Sequence, residues 1–429
     1  MSKLYLGVAR EIITPAVGGC LYGYAPDVFS DAVADDLTAT AFYFRQGDVQ
    51  ALMVNLTVCE IQTVLCDRIR RLLSERLGIS ASCCVLSATH THSAPNVAGA
   101  IGWGDPDEAY CEETFIPAIL RVGERAMAAA CPVTMTVACG ESTVGVNRRE
   151  LDGNNRIVFG QNPWGALDRR MTVVSFADEC GDTVANMIHY GAHGTAAGMN
   201  HEVTRDWSGV MVDALEAHSG GMTAFFNGTV GDSGPRISNG QTTGDMTYVY
   251  ELGEKAAADA VRIFETRPAP RPVSLAVSKR EIALPLKPRM PEAEAKRMWE
   301  DYKEMTVNAD GMIRAHLEDL LRSYKEGEDD LVERSFSQTV IALGDVVFAA
   351  FPYELFAELG LRMQRECPRA VVLPLSVSNG DESYFVTQDA LCRGGYEVEM
   401  FLYRHRQPFC DDADFELIKK TVAHICDVI

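Results

Sequence analysis

The sequence predicts an α/β fold in which mixed β-sheets are flanked by helices, stacked in several layers within a single catalytic domain. Three observations carry this. Apolar runs of strand length alternate with helical stretches along the chain, the pattern of sheets covered by helices. At 429 residues with 47% hydrophobic content, the chain is long enough to bury a substantial core. The order hairpin, helix, strand of residues 39 to 87 returns in residues 337 to 377, which predicts a pseudo-twofold repeat of strand-strand-helix-strand units with their polar ends close together.

Leu6 to Ile13 is a short strand stopped by Thr14-Pro15. Ala39 to Arg45 and Gln50 to Leu56 form a hairpin about Gln46-Gly47-Asp48, with glycine where positive φ is needed. Ile61, Leu65, Ile69, Leu72, Leu73 and Leu77 share one face of a helix that Gly78 closes. The apolar run into Val85-Leu86 is a buried strand that ends at His90-Thr91-His92. Asp105-Pro106-Asp107 starts a helix that runs to about Ala130, with Pro117 as a kink, and Pro132 to Cys139 is the next strand.

Val144 to Arg149 is polar, and an adjacent arginine pair before a turn is usually solvated. A second hairpin, Met171 to Phe176 and Thr183 to Tyr190, follows. Arg205-Asp206-Trp207 opens a helix, and Thr223 to Phe226 is a strand running into the glycine-rich loop of residues 227 to 235. Tyr250 to Phe264 is a helix, and Val273 to Leu286 a long strand or strand pair. Residues 287 to 333 are charge-rich with two helical patterns, Glu292 to Glu304 and Ile313 to Tyr324, and form a helical insertion covering one side of the domain. The second repeat follows: Ser337 to Leu343, Val346 to Phe351, a helix from Glu354 to about Glu366, and Ala370 to Val377.

Composition narrows the function. With 39 basic against 60 acidic residues the net charge is -21, which disfavours nucleic acid and anionic membrane surfaces as partners. The start lacks the apolar core of a signal peptide, and no run approaches the roughly 18 apolar residues of a membrane span. No stable membrane insertion is therefore expected. The 13 cysteines are scattered and often lie inside apolar runs, as in a reducing compartment, and the expected location is cytoplasmic.

His90 and His92 are the first candidate site. In extended backbone residues two apart point to the same side, so both rings would enter one pocket, where neutral imidazole suits a divalent metal. Three or four ligands are normally needed, and a lone His-x-His is otherwise a hydrogen-bonded structural pair. His189 and His193 are four apart, but Gly191 and Gly194 oppose a helix there and the glutamate of the helical zincin motif is missing. His193 reads as a loop residue just past a strand, and His201 and His218 as surface or structural. Asp206 either orients a ligand histidine, accepts a proton or caps its helix. Ser233, with His92 and Asp206, leaves a serine hydrolase as an alternative.

With these residues in hand, the chain resembles the catalytic domain of the neutral/alkaline (non-lysosomal) ceramidase family from residue 6 to about residue 400. Thr89-His90-Thr91-His92-Ser93-Ala94-Pro95 is similar to that family's Thr-His-Thr-His-Ser-Gly-Pro motif. Asn147-Arg148 sits at its Asn-Arg-Ser, His193-Gly194-Thr195 at its His-Pro-Thr, and Gly231-Asp232 with Pro235 follow its Gly-Asp-x-Ser-Pro. Pro352-Tyr353-Glu354-Leu355-Phe356 resembles its Pro-Gly-Glu-Phe segment and Tyr384-Phe385-Val386-Thr387 its Tyr-x-x-Thr. The resemblance implies one zinc ion held by His90, His193, Glu354 and Tyr384, of which the phenol is the unusual ligand. It implies that His92 and Arg148 meet the substrate carbonyl oxygen, and that Asn147, Gly231, Asp232 and Ser233 line the substrate.

The expected activity is zinc-dependent hydrolysis of a linear amide in a small N-acyl substrate by a metal-activated water. A metal-binding homologue that holds a small ligand without catalysis is the other alternative. Two departures stand out. Gly234 occupies the place of the family's serine, and the family's C-terminal sandwich domain and secretion signal are not expected here.

Overall fold

The computed structural model describes residues 2–429. Its frame is one supersecondary unit used three times. In the first, strands β1 (Leu4–Ile12), β2 (Thr38–Gln46) and β3 (Val49–Leu56) form an antiparallel meander, helix α1 (Thr63–Leu77) crosses over, and β4 (Cys84–Ala88) returns parallel to β3. The local chemistry is as the sequence predicts: Gly47 turns the hairpin at φ 59°, and Gly78 ends α1 at φ 68° with its N–H on the Ser74 carbonyl. Helix α2 (Ile116–Ala128) leads out of this unit. The bend expected at Pro117 is a single π-helical turn over Cys111–Phe115, immediately before the residue that lacks a backbone donor.

The second unit is β5 (Cys131–Glu141), β8 (Arg170–Ala177) and β9 (Thr183–Tyr190), then α3 (Asp206–Ser219) and β10 (Met222–Asn227), with a separate ribbon of β6 (Gly145–Leu151) and β7 (Ile157–Asn162) let in after β5. Here β5, β8 and β9 are antiparallel and β10 is parallel to β9. Helix α4 (Met246–Glu265) leads on. The third unit is β11 (Leu275–Pro285), β12 (Glu333–Leu343), β13 (Val346–Ala350), α7 (Ala357–Glu366) and β14 (Val371–Leu375), with α5 (Glu292–Tyr302) and α6 (Asn308–Glu326) between its first two strands. Its pairings repeat the pattern, two antiparallel and one parallel. Helices α8 (Tyr396–Tyr403) and α9 (Ala413–Cys426) close the chain.

The sequence shows the first and third copies. The ribbon β6-β7 and the long segment between Tyr190 and α3 hide the second. Units one and two join edge to edge through β1 and β5 into an eight-stranded sheet of order β10-β9-β8-β5-β1-β2-β3-β4, and unit three is a four-stranded sheet. The sheets pack face to face over Phe42, Phe44, Phe176, Phe226 and Phe348, while α1 to α4 cover the outer face of the large sheet and α7 and α9 that of the small one. The result is a helix-sheet-sheet-helix sandwich. No helix among the described residues is long and apolar enough to cross a membrane.

The last strands of the three units end beside one another, as the repeat predicted for two of them. Ala88 donates its N–H to Val377 at 3.2 Å and Asn379 to Leu86 at 2.8 Å, and the Ser378 hydroxyl reaches Ser87 at 3.0 Å. Asn227, at the end of β10, is the knot of this junction. Its amide donates to the carbonyls of Thr89 (2.9 Å) and Ala192 (3.1 Å), and its oxygen accepts from the Ala192 N–H at 3.2 Å. Replacing it leaves three buried backbone groups without partners, at about 1–3 kcal/mol each before relaxation. Asn227→Ala should therefore cost about 3 kcal/mol of unfolding free energy in urea titration, whereas loss of a surface amide costs under about 0.5 kcal/mol.

Candidate metal centre

The loops that leave the converging strands carry the chemistry. His90 follows β4, His193 follows β9 and Glu354 follows β13, so each of the three units contributes one group from the end of a strand. Ring nitrogens and a carboxylate oxygen of these three buried residues lie within 4.8 Å of one another. Glu354 Oε2 is 3.0 Å from His193 Nε2 and 3.4 Å from His90 Nε2. The same atom is buried without a hydrogen-bond donor.

The far side of each imidazole explains this arrangement. His90 Nδ1 sits 2.9 Å from the Cys59 carbonyl, and His193 Nδ1 lies 2.9 Å from the carbonyl of Val230 and 3.0 Å from that of Ser233. Carbonyls only accept, so both Nδ1 atoms carry the proton and both Nε2 atoms present a lone pair. Two lone pairs and a carboxylate oxygen facing one another favour a cation between them, and the Arg148 guanidinium already reaches one of the lone pairs, His193 Nε2, at 2.8 Å. One choice is a proton on His90 Nε2: burial opposes it, Glu354 favours it, and the balance raises the His90 pKa. A proton bridges two atoms; a divalent metal bridges all three. Ligand bonds of about 2.0–2.2 Å at tetrahedral angles place donors roughly 3.3 Å apart, close to the separations here. His193 and Glu354 also suit a metal in charge state. Burial and the neighbouring Arg148 drive the His193 pKa down to about 3, keeping it neutral, and the imidazoles of His90 and His193 outweigh burial to hold Glu354 well below the usual carboxylate range. These residues fit zinc.

His90 and His92 converge, but not by strand alternation. The strand ends at Ala88, and His90 has φ 65°, a left-handed conformation uncommon for a residue with a side chain. His92 Nε2 lies 3.4 Å from His90 Nε2, and its Nδ1 is buried without a partner. Burial and the two neighbouring histidines hold its pKa far below normal. Gly23 makes room for this ring: a Cβ there would sit 2.4 Å from His92 Nδ1.

Glu354 is not the first residue of a helix. It lies in a two-residue strand, Glu354–Leu355, paired in parallel with Tyr384–Phe385, and α7 begins only at Ala357. This pairing sets Tyr384 directly beside Glu354. Arg148, expected to be solvated, is buried on β6 together with Arg149. It donates to Glu397 at 2.9 Å, to the Tyr384 hydroxyl at 2.9 Å and to His193 Nε2 at 2.8 Å. Arg149 reaches the other oxygen of Glu397 at 2.5 Å, so this one buried carboxylate holds both guanidinium groups.

The remaining candidates are structural in their contacts. Asp206 accepts from the N–H groups of Ala196, Ala197 and Trp207, and the Trp207 indole donates to the His193 carbonyl at 2.9 Å, so Asp206 fixes the loop that carries His193 and does not face its ring. Asp232 accepts from Asn147 at 2.9 Å and from the Ala357 N–H at 2.7 Å, and its carbonyl takes the Arg148 N–H at 2.8 Å. Asn147 and Asp232 thereby seat Arg148, and neither lines the cavity beside the histidines. Gly231 is packed on the main chain of Glu354, where a Cβ would come within 2.5 Å of its carbonyl oxygen. The Ser233 hydroxyl is buried without a partner, so no Ser-His-Asp relay is assembled from Ser233, His92 and Asp206. A Cβ on Gly234 would meet the Thr242 side chain at 2.7 Å, so a serine at that place would have to displace it.

Cys59, Glu60, Asp381, Tyr22 and Arg404 line the cavity with His90, His92 and Glu354, and Glu397 supports Arg148; sequence reasoning missed all of these. Glu60, a charged residue four positions past the end of β3 in an otherwise apolar stretch, was the one visible signal.

The architecture and site together define a layered α/β protein with a buried two-histidine, one-carboxylate cluster at its strand ends. Two solved structures share the fold: neutral ceramidase from Pseudomonas aeruginosa (TM-score 0.76, 16% identity, covering 98% of this chain and 74% of that one) and a ceramidase complexed with C2 (TM-score 0.75, 16% identity, 98% and 74%). The chain has the neutral ceramidase fold. No protein-family model matches the sequence, and no relative among curated proteins does.

The contact between Gly231 and Glu354 is testable. Gly231→Ala should push Glu354 out of register and weaken the affinity of this cluster for an added divalent metal about 10- to 100-fold in chelator competition, with the fold intact by circular dichroism.

Proposed function

We propose that the chain is a zinc-dependent hydrolase of a linear amide bond in a small N-acyl amine, with one zinc per chain. The observation that carries this reading is the triangle of His90 Nε2, His193 Nε2 and Glu354 Oε2, acceptors turned toward one another in a buried pocket. His90, His193 and Glu354 would hold the ion, with the Tyr384 phenol beside them as the fourth protein oxygen. The fold shared with two ceramidase structures supports an amide as the bond attacked. When bound, zinc supplies a water acidified to a pKa of about 7 and a positive charge beside the carbonyl oxygen.

The chain's own residues do the rest. Arg148 is fixed by Glu397 and by stacking 5.0 Å from the Phe159 ring centre, and its two terminal nitrogens, on His193 Nε2 and the Tyr384 hydroxyl, are held at the cluster before the reaction begins. It meets the developing oxyanion, a contribution of about 2.7–4 kcal/mol for one such preorganised donor. His92 is neutral, and its Nε2, turned toward the cluster 3.4 Å from His90 Nε2, can take a proton and return it to the departing amine. Asp206, Asn147 and Asp232 act earlier, by fixing the loops and strand on which His193 and Arg148 stand. All thirteen cysteines are free thiols, which supports a reducing compartment, the cytoplasm.

Protein purified without chelator should contain about one zinc per chain by mass spectrometry, and His90→Ala almost none. A metal-free wild type overturns the reading. On any N-acyl amine that is turned over, Arg148→Lys should lower kcat about 100-fold with KM changed less than about twofold, because a lysine cannot keep both the Glu397 bond and the oxyanion contact.

A further inference from the structure

The cavity beside the cluster is small and charged. Its volume is about 50 Å³, room for a few heavy atoms and not for a long alkyl chain. Glu60 and Asp381 line it, 7% and 6% exposed, and Arg404 stands at the same wall. Arg404 is matched to Asp381, with a guanidinium nitrogen 3.7 Å from the carboxylate and 3.5 Å from the Asp381 carbonyl. Glu60 has only the neutral Tyr22 hydroxyl as a donor. Ionised, Glu60 has no cation of its own, and burial together with Asp381 pushes its pKa up to about 8, so it holds a proton at neutral pH until a cation enters beside it.

Two further features mark this as a place for a ligand. Ser383 lines the cavity, is 6% exposed, and its hydroxyl is buried without a hydrogen-bond partner. The facing walls are the rings of Tyr22, Trp103 and Tyr396. Carboxylate and aromatic faces around a small volume are the surroundings that hold an alkylammonium ion, through charge and through the ring quadrupole. An alkyl group would leave the acids buried and unpaired, and a second anion would be repelled.

We infer that this cavity is a subsite for a primary ammonium group next to the scissile amide, so that the preferred substrates are N-acyl amines that carry a second, free amine. The inference rests on the amide-hydrolase reading for its substrate class, but the ammonium site itself can be tested without turnover.

The zinc-loaded full chain is compared on short N-acetyl diamines and on the N-acetyl alkylamines and N-acetyl amino alcohols of the same length. At least one diamine derivative should exceed both neutral isosteres by at least about tenfold in kcat/KM, and the ratio should fall below about twofold in Glu60→Gln or, as a second variant, Asp381→Asn. In parallel, alkylammonium ions are titrated calorimetrically against the same proteins, with the matching alcohols as controls. Ammonium binding that Glu60→Gln removes, with no amide hydrolysed, keeps the subsite and overturns the hydrolase reading. Hydrolysis with equal or better rates on the neutral isosteres, or ammonium binding no tighter than alcohol binding, overturns the subsite and keeps the hydrolase. Preference for the amino alcohols assigns the cavity to a hydroxyl and equally overturns it.

Discussion

The structure turns on the orientation of two imidazoles. A histidine ring with a carbonyl at Nδ1 has its tautomer decided for it, and at both His90 and His193 that carbonyl belongs to the main chain, of Cys59 in one case and of Val230 and Ser233 in the other. Once both protons are committed outward, the inner nitrogens are acceptors, and placing the Glu354 carboxylate 3.0 and 3.4 Å from them makes a pocket that favours positive charge, part of which Arg148 supplies at His193 Nε2. The electrostatic cost is carried by the rest of the fold. Two packed sheets and their helices keep water out, and the backbone that supplies the carbonyls is itself pinned at the strand ends.

The threefold unit accounts for where those ends lie. Parallel strands joined by a helix put their carboxyl ends at one edge of a sheet, the usual place for chemistry in α/β proteins. Three such units, two in one sheet and one in the other, bring β4, β10 and β14 to a single junction, knit by Asn227 and by the pair Ser87 and Ser378. Each unit contributes one ligand-type residue from a loop that the junction holds rigid. Loops alone rarely position side chains to better than an ångström; these are short, buried and hydrogen-bonded at both sides, so they behave as extensions of the sheets.

Much of this was legible in the sequence, and the parts that were not have common causes. Strands, helices and the hairpin turn at Gly47 followed from periodicity and from glycine placement. His90, His193 and Glu354 were reached through short motifs, since nothing in their spacing reveals that residues so far apart in the chain meet. Several readings failed, the strand alternation of His90 and His92 among them. Arg148 and Arg149 looked solvated because a charge pair is usually exposed; their partner Glu397 is some 250 positions away and lies in an unremarkable short helix. The helix assigned from Glu354 starts at Ala357, because a parallel bridge to Tyr384 captures Glu354 first, a tertiary contact no local pattern encodes. The second copy of the repeat escaped notice because an inserted ribbon breaks its spacing.

The glycines argue that the site is built by close approach as well as by ligands. Gly23 admits the His92 ring, Gly231 lets the loop lie on the Glu354 backbone, and Gly194 sits where a Cβ would be 2.8 Å from the His90 carbonyl. At Gly231 and Gly194 the missing side chain lets the main chain lie on the backbone of Glu354 and of His90, and at Gly23 on the His92 ring itself, so position is set by packing and not by side-chain flexibility. Gly234 completes the pattern from the other direction. There the space belongs to the Thr242 side chain, and a serine would have to displace it. The polar groups beside the cluster are then His92, Arg148 and the Tyr384 hydroxyl, the last two held against each other although they lie far apart in the chain.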